Sequence, residues 1–329
     1  MTTTTAAPIR WPAEAIWEAV CPQLPGFTVE VVRSIDSTNT ELMRRARAGR
    51  YEPTLLVAEQ QTAGRGRLGR AWHSGAHADA TLDHAPPATA DAPALPSLMM
   101  SLGLPLAPAD WSGLSLAVGV SVAESLQPVL PPLGVGQPAR VGLKWPNDLW
   151  LAGGTGAAGD RKLGGILVET ASFVQPQTGP VPASTRGTAS TARYVVVGIG
   201  INVLPRSAVG LSLPPGSLQE VEPGLDAPGA LLRIVAPLVA MLQSFAGYGF
   251  GPMQPRFAAR DVLQGRSVTL SDGQTGTAHG VGEDGALLVQ TAQGMQAITS
   301  AEISVRPGLA APLSRVPLGA TTRGGDAGR

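Results

Sequence analysis

The segment from Gly64 to Arg70 places three glycines and three arginines within seven residues, five residues after an apolar run at 55–58. Glycines let a backbone bend closely around a ligand. The guanidinium groups of Arg65, Arg67 and Arg70 match carboxylate and phosphate oxygens in geometry and charge. The segment therefore predicts an anion-binding loop at the end of a strand.

Three other interpretations of this loop exist. Its glycines satisfy G-x-G-x-x-G, the pattern of a dinucleotide-binding turn, but such a turn leads into an amphipathic helix and residues 71–75 lack helical periodicity. A phosphate loop with the G-x-x-x-x-G-K pattern is absent here. An Arg-Gly segment that binds RNA is normally longer and lacks apolar flanks. The loop alone leaves a catalytic anion site and these alternatives open.

Composition limits the kinds of partner. The 329 residues contain 24 Lys+Arg and 24 Asp+Glu, so no global field attracts nucleic acid or an anionic membrane. The single cysteine, Cys21, excludes an internal disulfide and suits a reducing compartment. No run reaches the roughly 18 consecutive apolar residues of a membrane span, and no signal peptide is recognisable. We expect a cytoplasmic protein that binds neither nucleic acid nor membrane.

A polar cluster, Ser37, Thr38 and Asn39, lies between an expected strand at 29–32 and a short helix that ends at Gly49. Such residues commonly cap helices, and capping is the favoured explanation if the cluster stands alone.

A second polar group follows in the middle of the chain. Lys144 lies within an apolar strand, and Pro146 ends that strand before the polar pair Asn147 and Asp148. Lys162 begins another strand beyond a Gly-rich segment at 152–160, which predicts a hairpin. This hairpin would bring Asp148 close to Lys162, so that an acid and a cation share one pocket.

The remaining patterns define the domain organisation. We expect helices at 11–20, 114–126 and 229–245, strands at 55–59, 98–102 and 194–203, and short strands at 266–270, 274–281, 285–290, 295–299 and 302–306. The short strands predict a small barrel. The predicted units are an N-terminal tail and short helix at 1–28, a catalytic domain at 29–261, a barrel domain at 262–307 and a disordered tail at 308–329.

Two breaker-rich stretches, 75–97 and 171–191, are expected to be surface insertions. The first of them, with its flank, includes His73, His77 and His84, but their spacing is irregular and no acidic partner accompanies them. We do not predict a metal site there.

Taken together, the motifs resemble the biotin–protein ligases over residues 31 to 306, apart from the two insertions. The resemblance depends on five motifs in family order: Ser37 to Asn39, Gln61 to Arg70, Lys144 to Asp148, Lys162 to Glu169 and Gly198 to Asn202. It implies a mixed-sheet α+β catalytic domain of the biotin/lipoate ligase type, followed by a small SH3-like β-barrel.

The resemblance also implies a reaction. The biotin carboxylate attacks the α-phosphorus of ATP, pyrophosphate leaves, and a lysine of a biotin carboxyl carrier protein captures the acyl-adenylate. The resemblance assigns catalytic roles to Arg65, Arg67, Lys162 and Asp148; biotin contacts to Ser37, Thr38, Asn39, Gln61, Gly64, Arg65, Gly66, Arg67, Lys162 and Gly165; and nucleotide contacts to Arg67, Trp72, Lys144, Asn147, Asn202 and Arg306. Asp148 is also the expected Mg²⁺ ligand.

Further expectations concern assembly and alternatives. The roughly 30 residues before the first strand are too few for the DNA-binding domain of some family members, whose helices alone average about 11–12 residues each. A homodimer is a further expectation. A lipoate–protein ligase and a non-catalytic anion- or RNA-binding protein remain the rival functions.

Overall fold

A computed structural model describes residues 8–72, 95–132, 137–153, 160–172, 192–206, 215–270, 273–299 and 305–307. The helices are α1 (Ala13–Val20), α2 (Thr38–Arg47), α3 (Leu114–Leu126), α4 (Ala227–Tyr248) and α5 (Gln254–Ala258). The strands are β1 (Thr28–Ile35), β2 (Thr54–Gln61), β3 (Ser97–Leu106), β4 (Arg140–Lys144), β5 (Asp148–Ala152), β6 (Arg161–Ser172), β7 (Arg193–Asn202), β8 (Ser267–Leu270), β9 (Thr275–Val281), β10 (Leu287–Thr291), β11 (Gly294–Ile298) and β12 (Val305–Pro307). Short 3₁₀ turns occupy Arg67–Gly69, Leu218–Glu220 and Gly251–Met253.

Seven strands form a mixed sheet in the order β1-β2-β3-β7-β6-β5-β4. Only β1 and β2 pair in parallel, and the other neighbours are antiparallel. The main apolar core lies between one face and α1, α3 and α4, whereas α2 packs on the opposite face through Leu42, Met43 and Ala46. This mixed α+β sheet confirms the predicted fold class.

Helix α4 is longer than the predicted 229–245. The Asp226 side chain accepts a hydrogen bond from the Gly229 N–H at 2.8 Å, so the helix begins at Ala227. By length and composition α4 could cross a membrane, but 50% of its apolar stretch is buried inside the protein. Because α4 packs against α3, α1 and β3, it is a core helix.

The five short C-terminal strands form a second sheet, in the order β11-β10-β9-β8-β12. Their antiparallel pairing agrees with the predicted SH3-like domain. Segments next to this sheet contact the mixed sheet directly. The Trp145 indole N–H donates to the carbonyl of Gly285, between β9 and β10, at 3.0 Å, and the Val262 N–H, before β8, donates to the Leu143 carbonyl at 3.0 Å. The predicted domain boundary at 261/262 itself stays a prediction.

The predicted insertion at 75–97 extends too far at its C-terminal end. Ser97 is fully buried and begins β3, and Leu95 packs against the main core. The pattern failed there because Pro96 interrupts the apolar run. Residues 73–94, which include the three histidines, lie outside the described residues, as do 173–191 and the predicted tail at 308–329.

Asp261 lies at the junction of the two sheets and forms an isolated bridge with Leu143. One carboxylate oxygen accepts the Leu263 N–H at 2.8 Å, whereas the other is buried without a hydrogen-bond partner. Burial therefore raises the pKa of Asp261 from 3.8 to about 6. The folded state holds this proton more tightly than the unfolded state, so folding stability falls as pH rises from about 4 to about 6 and remains reduced above pH 6.

We predict that Asp261→Asn stabilises the protein at pH 7.5 by about 1–3 kcal/mol, because the amide keeps the acceptor for Leu263 and removes a buried charge. Urea unfolding at pH 7.5 and pH 4.5 measures the difference. The gain should shrink at the lower pH, where the wild-type carboxyl is protonated. An equal effect at both pH values would contradict the assignment.

Candidate active site

A cavity of about 410 Å³ lies on the α2 face of the mixed sheet. Its walls come from the start of α2, the arginine loop, the β4–β5 turn, and strands β6 and β7. The lining residues are Ser37, Thr38, Asn39, Gln61, Arg65, Gly66, Arg67, Arg70, Ala71, Trp72, Met100, Lys144, Pro146, Asn147, Asp148, Lys162, Gly165, Ile166, Leu167, Gly198, Ile199 and Gly200. All five motifs of the sequence, distant from one another along the chain, therefore contribute to the wall of one cavity.

Glycines on β6 and β7 form the floor of the cavity. Gly165 pairs with Gly200 across the two strands. A Cβ atom at Gly198 would lie 2.0 Å from Asn39 Oδ1, and one at Gly200 would lie 2.7 Å from the Trp72 ring. Side chains at these positions would displace Asn39 and Trp72, so the floor requires glycine.

The polar cluster at the start of α2 does more than cap a helix. Ser37 is the N-cap, and its hydroxyl accepts the Thr40 N–H at 3.4 Å. The Thr38 N–H donates to Gln61 Oε1 at 2.8 Å, and the Thr38 hydroxyl lies 3.2 Å from the same oxygen. These side chains also line the cavity, so capping and ligand contact are compatible.

The arginine loop folds back on itself as a small hairpin. The Trp72 N–H donates to the Gly64 carbonyl at 2.8 Å, and the Gly66 N–H donates to the Arg70 carbonyl at 2.7 Å. Gly69, with φ of 71°, ends a single 3₁₀ turn that begins at Arg67. No amphipathic helix follows over the described residues 70–72, which argues against the dinucleotide-binding interpretation.

The predicted meeting of Asp148 and Lys162 is confirmed. Asp148 pairs with Gly165 across β5 and β6, and its Oδ1 lies 2.7 Å from Lys162 Nζ. Its Oδ2 lies 3.9 Å from Lys144 Nζ. One carboxylate therefore faces two ammonium groups. The whole sequence contains no other lysine.

Positive charge dominates the cavity. Its described lining contains five cationic side chains but only one carboxylate, Asp148. Burial lowers the pKa of Lys144; Asp148 opposes this shift, and the neighbouring Lys162 and Arg70 add to it. Burial likewise lowers the pKa of Arg67. An anionic ligand would relieve this repulsion, so the cavity is suited to bind anions.

Among the described side chains, two predicted site residues, Gly64 and Asn202, do not line the cavity. The Gly64 carbonyl closes the arginine hairpin. The Asn202 amide is buried and donates to the carbonyls of Lys162 and Gly216, at 3.4 and 3.1 Å. The nucleotide contact of Asn202 stays a prediction. Only the backbone of Arg306 is described, opposite Thr269 in the C-terminal sheet.

Two residues next to the cavity were given no role in the sequence analysis. Ser101 is fully buried on β3 and lies within hydrogen-bonding distance of Thr38 and Asn39. Glu169 on β6 contacts Arg65 and Asn39. Glu169 is the last residue of the Lys162 to Glu169 motif, so the sequence offered a signal for it. Nothing in the sequence distinguishes Ser101 from an ordinary core residue.

Comparisons with known proteins agree with this geometry. Residues 31–181 match the model of the biotin/lipoate A/B protein ligase family, and residues 264–306 match the biotin protein ligase C-terminal domain. The bifunctional ligase/repressor BirA of Escherichia coli is 33% identical over 290 residues, which cover 86% of this chain and 76% of that protein.

Two further relatives extend the similarity. The biotin–acetyl-CoA-carboxylase ligase of Paracoccus denitrificans is 31% identical over 278 residues, 82% of this chain and 96% of that protein. The solved biotin protein ligase of Aquifex aeolicus, in complex with biotin and ATP, superposes with a TM-score of 0.59 at 25% identity and covers 85% of this chain and 99% of that one. The chain therefore belongs to the biotin protein ligase family.

Proposed function

We propose that the residues of the cavity have separate roles in biotin ligation: some bind biotin, some bind ATP, and some stabilise the charge that develops during the reaction. As a biotin protein ligase, the chain activates biotin with ATP and transfers the biotinyl group to a protein. The observation that best supports our assignment of roles is the convergence of Arg65, Arg67 and Lys162 on one cavity.

In the first step, a biotin carboxylate oxygen attacks the α-phosphorus of ATP, and the bond from that phosphorus to the pyrophosphate oxygen breaks. Carboxylate and triphosphate repel each other, so the site must supply positive charge at the reacting atoms. We assign this task to Arg65, Arg67 and Lys162, which come from two separate segments. Arg70 adds a fourth positive charge to the same wall.

The other end of the cavity suits the uncharged part of biotin. Ser37, Thr38 and Gln61 offer hydroxyl and amide groups for a ureido ring, and Met100 and Ile199 supply apolar surface. Binding pockets of this kind orient an apolar ligand through a few convergent polar groups. We therefore place the biotin ring near α2 and its carboxylate near the arginine hairpin, with ATP towards Lys144 and Asn147.

ATP reacts as its magnesium complex, so Mg²⁺ enters as part of a substrate. Mg²⁺ in such sites takes one or two protein carboxylates in addition to phosphates and water. Asp148 is suited to bind this Mg²⁺, because it is the only carboxylate among the described lining residues and follows Asn147 in the chain. Among the described residues, no group of three or more His, Cys, Asp or Glu side chains is placed to hold a resident metal ion.

In the second step, an uncharged lysine amine attacks the acyl carbon, the bond to the AMP oxygen breaks, and an amide forms as the nitrogen releases one proton to water. We propose a biotin carboxyl carrier domain as the acceptor, and Asp148 as a second candidate role: it orients the incoming lysine. A cytoplasmic location fits the unpaired Cys21.

A free sheet edge supports the proposed homodimer. Strand β6 pairs with β5 only as far as Gly165 but extends to Ser172. Among the described residues, the outer edge at Val168 and Thr170 has no strand partner. Such an edge can pair with a strand of a second chain.

Labelled biotin, MgATP and a carrier domain together test the function. We expect covalent transfer of label to the carrier, and an excess of unlabelled biotin, but not of lipoate, should suppress it. Suppression by lipoate would favour the lipoate ligase alternative. RNA retention without ATP turnover would favour the non-catalytic one.

We predict that Lys162→Ala lowers biotin-dependent pyrophosphate exchange by about 100-fold or more, because it removes a cation from the reacting centre. Arg233→Ala is the matched control, since it deletes a cation whose ion pair with Glu222 lies away from the cavity on α4. Undiminished exchange in Lys162→Ala would remove Lys162 from the chemistry.

We predict that Arg67→Gly still forms adenylate but releases it, because the arginine hairpin would close less tightly over a hydrolysable anhydride. Diffuse biotinylation of a lysine-rich bystander protein measures the release. The ligase should label itself weakly in the same reaction, because its only two lysines are in the cavity. Retention equal to wild type would contradict the prediction.

We predict that kcat/KM for ATP falls at alkaline pH, at a lower pH than an ordinary lysine would cause. Burial lowers the pKa of Lys144, so its charge is lost early as pH rises, and affinity for the triphosphate falls with it. Lys144→Arg should move this decline to higher pH, whereas Lys162→Arg should leave it in place. A decline that moves with Lys162 instead would overturn the assignment.

A further inference from the structure

Glu169 lies behind the cavity wall, where its two carboxylate oxygens contact different elements. Oε1 lies 3.5 Å from Arg65 Nη1 on the arginine hairpin. Oε2 accepts a hydrogen bond from Asn39 Nδ2, at the start of α2, at 3.0 Å. The Glu169 side chain is 22% exposed and does not line the cavity. A single carboxylate therefore joins the two segments that we assign to biotin binding.

Asn39 extends this connection into the protein. Its amide nitrogen also donates to the Leu167 carbonyl at 3.2 Å, and its Oδ1 lies 2.6 Å from the Ser101 hydroxyl oxygen. Asn39 is buried, and its Oδ1 occupies the space where a Gly198 side chain would begin. The Asn39 carboxamide is thus fixed, with its NH₂ towards Glu169 and its oxygen towards Ser101.

Ser101 connects Asn39 to Thr38, a residue of the cavity wall. The Ser101 hydroxyl has one proton, and Asn39 Oδ1 can only accept a hydrogen bond, so Ser101 donates to Asn39 Oδ1. The Thr38 hydroxyl lies 2.7 Å from Ser101 and 3.2 Å from Gln61 Oε1, both of which can accept. The Thr38 oxygen consequently keeps a lone pair directed elsewhere, available to a ligand N–H.

We infer that Glu169 and Ser101 are positioning residues of the biotin site, in two branches that meet at Asn39. The Glu169 branch holds Arg65 at the cavity wall through a long ion pair between partly exposed groups. Because that contact is weak, a substrate carboxylate or phosphate can take over the guanidinium. The Ser101 branch orients the Thr38 hydroxyl. The inference depends on the proposed function, since both branches act on groups assigned to biotin.

Two variants separate the branches. Glu169→Gln keeps the size of the side chain and can still accept from Asn39, but it removes the charge that holds Arg65. Ser101→Ala leaves the contact of Glu169 with Arg65 in place and deletes the nearer of the two hydrogen-bond partners of the Thr38 hydroxyl. Glu222→Gln is the matched control, because it neutralises a carboxylate in an exposed ion pair with Arg233, away from the cavity.

The experiment measures biotin-dependent pyrophosphate exchange for the complete chain. For Glu169→Gln we expect kcat/KM for biotin to fall about twofold to fivefold, as for the loss of a weak, partly exposed ion pair. For Ser101→Ala we expect KM for biotin to rise about fivefold to tenfold with kcat nearly unchanged. Glu222→Gln should match wild type.

A double-variant cycle keeps the inference falsifiable if a single variant is unstable. Arg65→Gln alters a side chain that is 47% exposed, so folding should tolerate it. If Glu169 acts through Arg65, adding Glu169→Gln to Arg65→Gln should cause little further loss. Additive losses, or lower melting temperatures with unchanged kinetics, would overturn the inference. Absence of exchange in the wild-type chain would instead refute the proposed function.

Discussion

Repulsion among like charges is the constraint that the cavity must satisfy. Five cationic side chains surround about 410 Å³, and within the described lining one carboxylate, Asp148, opposes them. The lowered pKa values of Lys144 and Arg67 reflect the burial of these charges. Charges held in this way attract anionic reactants and need little rearrangement when negative charge develops. The same arrangement is costly when the cavity is empty, so the surrounding fold must hold it in place.

Much of that support comes from beneath the β4–β5 turn. Trp145 is fully buried, and its indole N–H reaches the Gly285 carbonyl of the C-terminal sheet. On the other side of the turn, the Asn147 side-chain amide donates to the Ile166 carbonyl at 2.6 Å. The turn is therefore fixed to both sheets, and Lys144 and Asp148 at its two ends are fixed with it. The described part of the C-terminal domain thus contributes to the site without lining the cavity.

Most of the site could be predicted from the sequence, because each motif is a short run of residues and contains charged side chains of recognisable function. A hairpin across a Gly-rich segment sufficed to place Lys162 beside Asp148. Helix α3 was predicted with its observed bounds, because apolar residues recur in it at helical spacing and are buried, namely Leu116, Val120, Ala123 and Leu126. The sequence is least informative where the deciding contact is distant along the chain. The carboxamides of Asn39 and Asn202 look equally available in the sequence, yet Asn202 is turned towards backbone carbonyls of Lys162 and Gly216.

The fold gives meaning to the small number of lysines, because both of them line the cavity. All the other residues among the 24 Lys+Arg are arginines. Arg65, Arg67 and Arg70 line the cavity, and other arginines form ion pairs outside it, such as Arg45 with Glu30 at 2.7 Å. Both lysines border the same carboxylate, and each ammonium also lies over an indole ring: Lys144 is 5.3 Å from the Trp150 ring centre, and Lys162 is 6.0 Å from that of Trp72. An ammonium is a compact charge that fits between a carboxylate and a ring, whereas a guanidinium is broad and planar. The chain is neutral overall, but the geometry of the cavity shows that the two positions beside Asp148 favour an ammonium group over a guanidinium.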